Sequence, residues 1–172
     1  MKLSNIILLS IVVSSFACNP DEAGFNMTYQ SVFEVQAGAQ PFVVQPYLIT
    51  NIVTDTTLFF SANGVHSDGI LSINAAQCRL FSQLSNINFA FVDLAAVTII
   101  NPLDPNDRQE VFYRDNIPFN EDGVLDIFPD LPDVKATLLR LPKYNLEIVL
   151  RFREAPASAI PIQIDWSFRA KI

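Results

Sequence analysis

One histidine, His66, lies in Asn63-Gly64-Val65-His66-Ser67-Asp68-Gly69, and its solitude restricts the chemistry at once. A metal centre built on several imidazoles needs more than one of them. No G-x-S-x-G stretch offers a nucleophile to complete a triad, so His66 reads as an exposed loop residue. Carboxylates are abundant, at 18 Asp and Glu, and a glycosidase needs two of them about 5 to 9.5 Å apart across a cleft. Asp104, Asp107 and Glu110 lie in a Pro-rich stretch that reads as a loop, and Asn120-Glu121-Asp122-Gly123 reads as a hairpin turn in which Gly supplies positive φ. Ca²⁺ takes several oxygen ligands from one flexible loop. Asp104, Asn106 and Asp107 are the candidates for it, although no D-x-[DN]-x-[DN]-G run sets the geometry. Turning the chain is the ordinary use of Asp, Asn and Pro, so the expectation is no cofactor and no enzyme. Five glycines supply no phosphate-cradling loop, and no basic stretch is interleaved with aromatics, which argues against nucleotide and nucleic acid as partners.

The remaining chemistry belongs to the two cysteines, Cys18 and Cys78. Cys18 follows Lys2, the short apolar run Ile6 to Val13 and Ser15-Phe16-Ala17, the layout of a signal peptide. Such a run is too short for a ~30 Å hydrocarbon core, and no later segment approaches the ~20 apolar residues of a membrane-spanning helix. Ser15-x-Ala17 also satisfies the small-x-small rule for ordinary cleavage after Ala17. Of the 11 basic residues only Lys2 precedes Cys18, which leaves 10 against 18 acidic ones in the mature part. Acidic surfaces repel phosphate backbones and anionic headgroups, so charge does not hold this protein on a membrane.

A cysteine directly after the apolar run resembles the bacterial lipoprotein signal, with Ala17 before it, Ser15 where that motif has Leu, and Phe16 where it has a small residue. Asn19-Pro20-Asp21-Glu22 behind it looks most like the signal of Bacteroidota lipoproteins, some of which reach the cell surface. The resemblance covers the first 18 residues and implies acylation of Cys18. It divides the chain into a signal peptide at 1–17, a lipidated tether at 18–24 and a domain at 25–172. Two or three acyl chains hold far more firmly than one myristoyl chain at about 10⁴ M⁻¹. The implied address is the outer membrane, lipid-anchored, facing the cell surface or the periplasm. With Cys18 acylated, Cys78 has no disulfide partner, and because Ala76, Cys78 and Leu80 alternate on one side of a predicted strand it reads as a small buried hydrophobe.

What must position any site is β structure. Tyr144, Leu146, Ile148, Leu150 and Phe152 alternate with Asn145, Glu147, Val149, Arg151 and Arg153, a period-two pattern that predicts a half-buried strand. Ile160 to Ile172 repeats it with Trp166 on the dry side, and Glu154 to Ala159 reads as the hairpin loop between the two. Met27 to Gln36 and Val43 to Val53 predict two more strands, with Pro46 demoting part of the second to an edge or a bulge. Ile70 to Phe81, Val97 to Ile100, Glu110 to Asp115 and Val124 to Phe128 predict four others. Asp55 to Asn63, with Asp55 as cap and Leu58, Phe59 and Ala62 on one face, and Val134 to Leu139 predict short helices.

Eight strands in one domain predict an all-β fold, a two-sheet antiparallel β-sandwich of immunoglobulin-like or jelly-roll type, with a closed barrel as the alternative. Absent chemistry and a strong address together suggest a structural or interaction subunit that docks on an outer-membrane or cell-surface protein. An apolar surface patch is its expected mark, with Phe59, Phe60 and Phe119 as candidates. The alternative is a glycan-binding lipoprotein with exposed aromatics in a concave site, and a third is a carboxylate-dependent hydrolase.

Overall fold

A computed structural model of the chain describes residues 23–84, 87–119 and 123–172. Cys18 and Asn120 to Asp122 lie outside them. The strands are β1 (Gly24–Val35), β2 (Val44–Val53), β3 (Ser72–Ser82), β4 (Val92–Asn101), β5 (Asp104–Arg114), β6 (Val124–Pro129), β7 (Lys143–Phe152) and β8 (Ile160–Lys171). Helix α1 (Thr56–Ala62) and a 3-10 turn (Ser67–Gly69) link β2 to β3, and helix α2 (Lys135–Arg140) links β6 to β7.

All pairings are antiparallel, and the strands form one eight-stranded sheet, nearly closed into a barrel, in the order β1-β8-β3-β6-β5-β4-β7-β2. The architecture is therefore all-β, as the alternation predicts, and its near-closure follows the barrel alternative. β2 is an edge strand, one of the two outcomes that Pro46 allows, and faces the other edge, β1. Side chains close this seam: the Phe33 and Tyr47 rings lie 5.1 Å apart, and the Tyr29 hydroxyl donates to the Thr54 carbonyl at 2.6 Å. At its narrowest the sheet is held by two β5–β6 pairs, Phe112 with Pro129 and Tyr113 with Phe128.

The hairpin expected between the last two strands is corrected. β7 pairs with β4 and β2, whereas β8 pairs with β1 and β3, so residues 153–159 cross from one half of the sheet to the other. Backbone bonds from Arg153 to Phe91 and from Gly38 to Pro156 pin that crossing. Asp104 to Glu110 is likewise strand β5 rather than loop, with Pro102-Leu103 as the turn before it.

The core lies inside the barrel, lined by the dry faces read from the alternation. Trp166 is 2% exposed, donates from Nε1 to the Tyr144 hydroxyl at 3.0 Å and stacks on Tyr29 at 5.6 Å. At Gly24 β1 has no room for a side chain against β8, since a Cβ there would stand 2.3 Å from the Ala170 carbonyl oxygen. Cys78 is buried between Trp166 and Ile127 on the flanking strands, and burial pushes its thiol far above the usual range. Native protein should therefore leave Cys78 unmodified by iodoacetamide at pH 8 and react fully in urea, read by mass. Fast labelling of the folded protein would contradict the burial.

Both predicted helices form, with corrected detail. Asp55 precedes α1 in left-handed geometry (φ 49°) and its side chain caps nothing. The helix is thereby phased so that Phe60 is buried, Phe59 is half-buried against Tyr29, and Leu58 is exposed. Gly64, at φ 66°, ends it, a conformation that other residues adopt at a cost.

Candidate interaction surface

Neighbouring strands bring residues distant in sequence into one row. Pro46 of β2 pairs with Val149 of β7, Val149 with Ala96 of β4, Ala96 with Tyr113 of β5, and Tyr113 with Phe128 of β6. Val149, Ala96, Tyr113 and Phe128 point away from the core, because their chain neighbours Ile148, Val97, Phe112 and Ile127 are buried; Pro46 is exposed between half-buried neighbours, and the small Ala96 is itself only 6% exposed beneath the larger side chains around it. The row is apolar across five strands, and its Tyr113 and Phe128 are 39% and 58% exposed. Val44 and Leu48 flank Pro46 on the same side of β2, and both are exposed. An apolar band on the solvent side of a sheet departs from the polar-outward alternation that water favours.

Charge borders the band on both sides. Towards one end, Arg108 of β5 pairs with Glu147 of β7, and Glu110 lies beside Thr98. Partial burial and the nearby Asp130 hold the Glu110 carboxyl above its ordinary range. Towards the other end, Asp93 receives Arg151 at 2.5 Å and Arg153 at 3.3 Å. Arg153 also donates to the carbonyls of Ala90, Val92 and Ile117, and the Phe119 ring lies 4.4 Å from its guanidinium. This one side chain ties together the loops before β4 and after β5. Arg153→Met should therefore cost about 2 kcal/mol by leaving those three carbonyls without their donor, while Asp93 keeps Arg151. Urea melts would show a lower midpoint at unchanged slope, and an unmoved midpoint would contradict it.

Of the aromatics expected at an interface, Phe60 faces the core, Phe59 packs on Tyr29, and Phe119, 75% exposed, covers Arg153 at the far end of the barrel. The row itself was missed because no two of its members are close in sequence. Its visible signal was Val149, an apolar residue at a polar position of the β7 alternation. The calcium candidates have other partners. Asp107 pairs with Arg140 and accepts from Asn101 Nδ2 at 3.0 Å, which lowers its carboxyl pKa, and Asp104 accepts from the Asn106 amide at 3.0 Å as an Asx turn. Among the described residues no three His, Cys, Asp or Glu side chains are grouped to hold a metal ion.

A second surface feature lies on the outer side of β1, β8 and β3, where Thr28, Gln30, Gln77, Arg79, Asp165 and Ser167 line a polar depression of about 360 Å³. Tyr29 and Trp166 form part of its floor, with their rings in the core.

No family model and no curated protein matches the chain. Among solved structures it is similar to empty-head turnip yellow mosaic virus, at 13% identity over 99% of this chain and 89% of that one, with a TM-score of 0.30. It is also similar to Desmodium yellow mottle tymovirus, at 11% identity over 98% of this chain and 95% of that one, with a TM-score of 0.27. Likenesses this slight have no bearing on what the chain does.

Proposed function

We propose that the chain is a lipoprotein, cleaved before Cys18 and acylated there, whose β domain serves as a non-catalytic docking subunit of an outer-membrane or cell-surface assembly. The observation that carries the docking is the five-strand apolar row with its charged borders. Apolar centre and polar rim are the anatomy of a protein interface, and aromatics such as Tyr113 and Phe128 are the side chains that most often dominate binding energy. Support for the anchor is the Ser15-Phe16-Ala17-Cys18 sequence behind a short apolar run. For the fold we infer the jelly-roll form of sandwich. Its support is the strand order, which sets β1, β8, β3 and β6 against β2, β7, β4 and β5 with only the short β5–β6 pairing between them.

Cross-linking in the native membrane, detergent extraction and purification of the tagged chain test the reading, run beside Cys18→Ser. A membrane protein recovered in stoichiometric amount from the wild type and lost from Cys18→Ser is the expected result. Recovery of an acylated chain alone contradicts docking and favours the second reading, a glycan site in the polar depression. That reading ranks lower because a sugar face gains much from exposed aromatic rings, and both aromatics at this depression face inward.

A further inference from the structure

Ala23 and Ile172 mark one end of the barrel. The Ile172 amide donates to Ala23 at 2.9 Å and the Leu71 amide to Lys171 at 2.8 Å, so the start of β1, the end of β8 and the approach to β3 lie together. Three connections lie at this end as well: residues 54–71, which include α1; the β4–β5 turn at Pro102-Leu103; and residues 130–142, which include α2. Each presents leucine to solvent. Leu58 is 64% exposed, Leu71 71%, Leu103 90% and Leu131 91%, and Ile172 at the chain end is 41% exposed. Their separation along the sequence, against their common position, is hard to attribute to any one element's packing.

We propose that this end of the barrel rests on the bilayer and that these aliphatic side chains enter the boundary between headgroups and acyl chains. The inference rests on acylation of Cys18. From Cys18 to Ala23 the chain spans at most ~18 Å, at about 3.6 Å per residue. A 12-residue strand such as β1 is about 40 Å long. An acylated Cys18 therefore brings the Ala23 end within reach of the membrane and holds the opposite end, with Phe42 and Phe119, away from it. Asp55, Asp68, Asp130 and Asp133 stand in these connections with Lys135 and Arg140, and Lys143 and Lys171 lie at the adjoining strand ends; Arg140 is paired with Asp107, so no excess of positive charge faces this way and apolar insertion rather than attraction to anionic lipid is the driving term.

The test uses the full chain expressed in its native envelope, purified and reconstituted into phosphatidylcholine vesicles whose acyl chains carry bromine. Single variants Leu103→Trp, Leu131→Trp and Phe42→Trp report depth by quenching, against the buried Trp166 as background, and the mass of each sample reports acylation. The expected result is quenching at 103 and 131 at least about threefold that at 42, as insertion by about 5–10 Å requires. An acylated, vesicle-bound chain with equal quenching at all three positions overturns this inference alone. An unacylated chain that stays off the vesicles overturns it together with the anchoring reading.

Discussion

Trp166→Asp should leave the domain unfolded at 25 °C. Trp166 is 2% exposed, its indole N–H is bonded to Tyr144, and its ring stacks on Tyr29. Truncating a buried aromatic costs about 3–5 kcal/mol by itself. A carboxylate with no cation in that core adds several more, against a total domain stability of about 5–15 kcal/mol. The control is three residues away on the same strand. Gln163 points outward, donating to Asp165 at 2.8 Å, so Gln163→Asp should lower stability by about 1 kcal/mol through that lost bond and the new like-charge neighbour. Circular dichroism melts decide it: two variants that melt alike would show that β8 faces the other way.

The second large effect concerns association. Tyr113 and Phe128 are cross-strand partners at the exposed end of the apolar row, so replacing both by Thr removes little from the core, keeps β-favouring side chains facing each other across the short β5–β6 seam, and should change stability by about 1 kcal/mol or less. Aromatic residues at the centre of an interface each contribute about 2 kcal/mol or more, and every 1.4 kcal/mol is tenfold in affinity. The double variant should therefore bind the proposed membrane partner at least about 100-fold more weakly while still melting cooperatively close to the wild type. Undiminished recovery of the partner would place the interface elsewhere on the barrel.

Period two made the strands legible because each residue's facing is a local property, decided by burial on one side of the chain. Trp166 and Cys78 were placed in the core on that ground alone, and both are buried. Strand pairing is not local. Residues 153–159 have the length and composition of a hairpin loop, yet β7 and β8 find partners among strands far away in sequence, and only long-range registers settle that choice. The phase of α1 depended on one left-handed residue, Asp55, which turned Phe60 inward and Leu58 outward. The surface row is the extreme case, since Pro46, Ala96, Tyr113, Phe128 and Val149 come from five different strands. Pro46, Tyr113 and Phe128 are exposed, Val149 is half-buried and the small Ala96 is covered by its neighbours; each reads alone as an ordinary apolar residue, and they acquire meaning only when register aligns them.

Site-specific photo-cross-linking in living cells tests the central claim most directly. A benzophenone amino acid at position 113, within the apolar row, is compared with one at position 28, on the outer face of β1. The expected result is a discrete adduct with one membrane protein from position 113, absent from position 28 and lost when Cys18 is changed to Ser. No adduct at 113, or the same adducts from both positions, would contradict it.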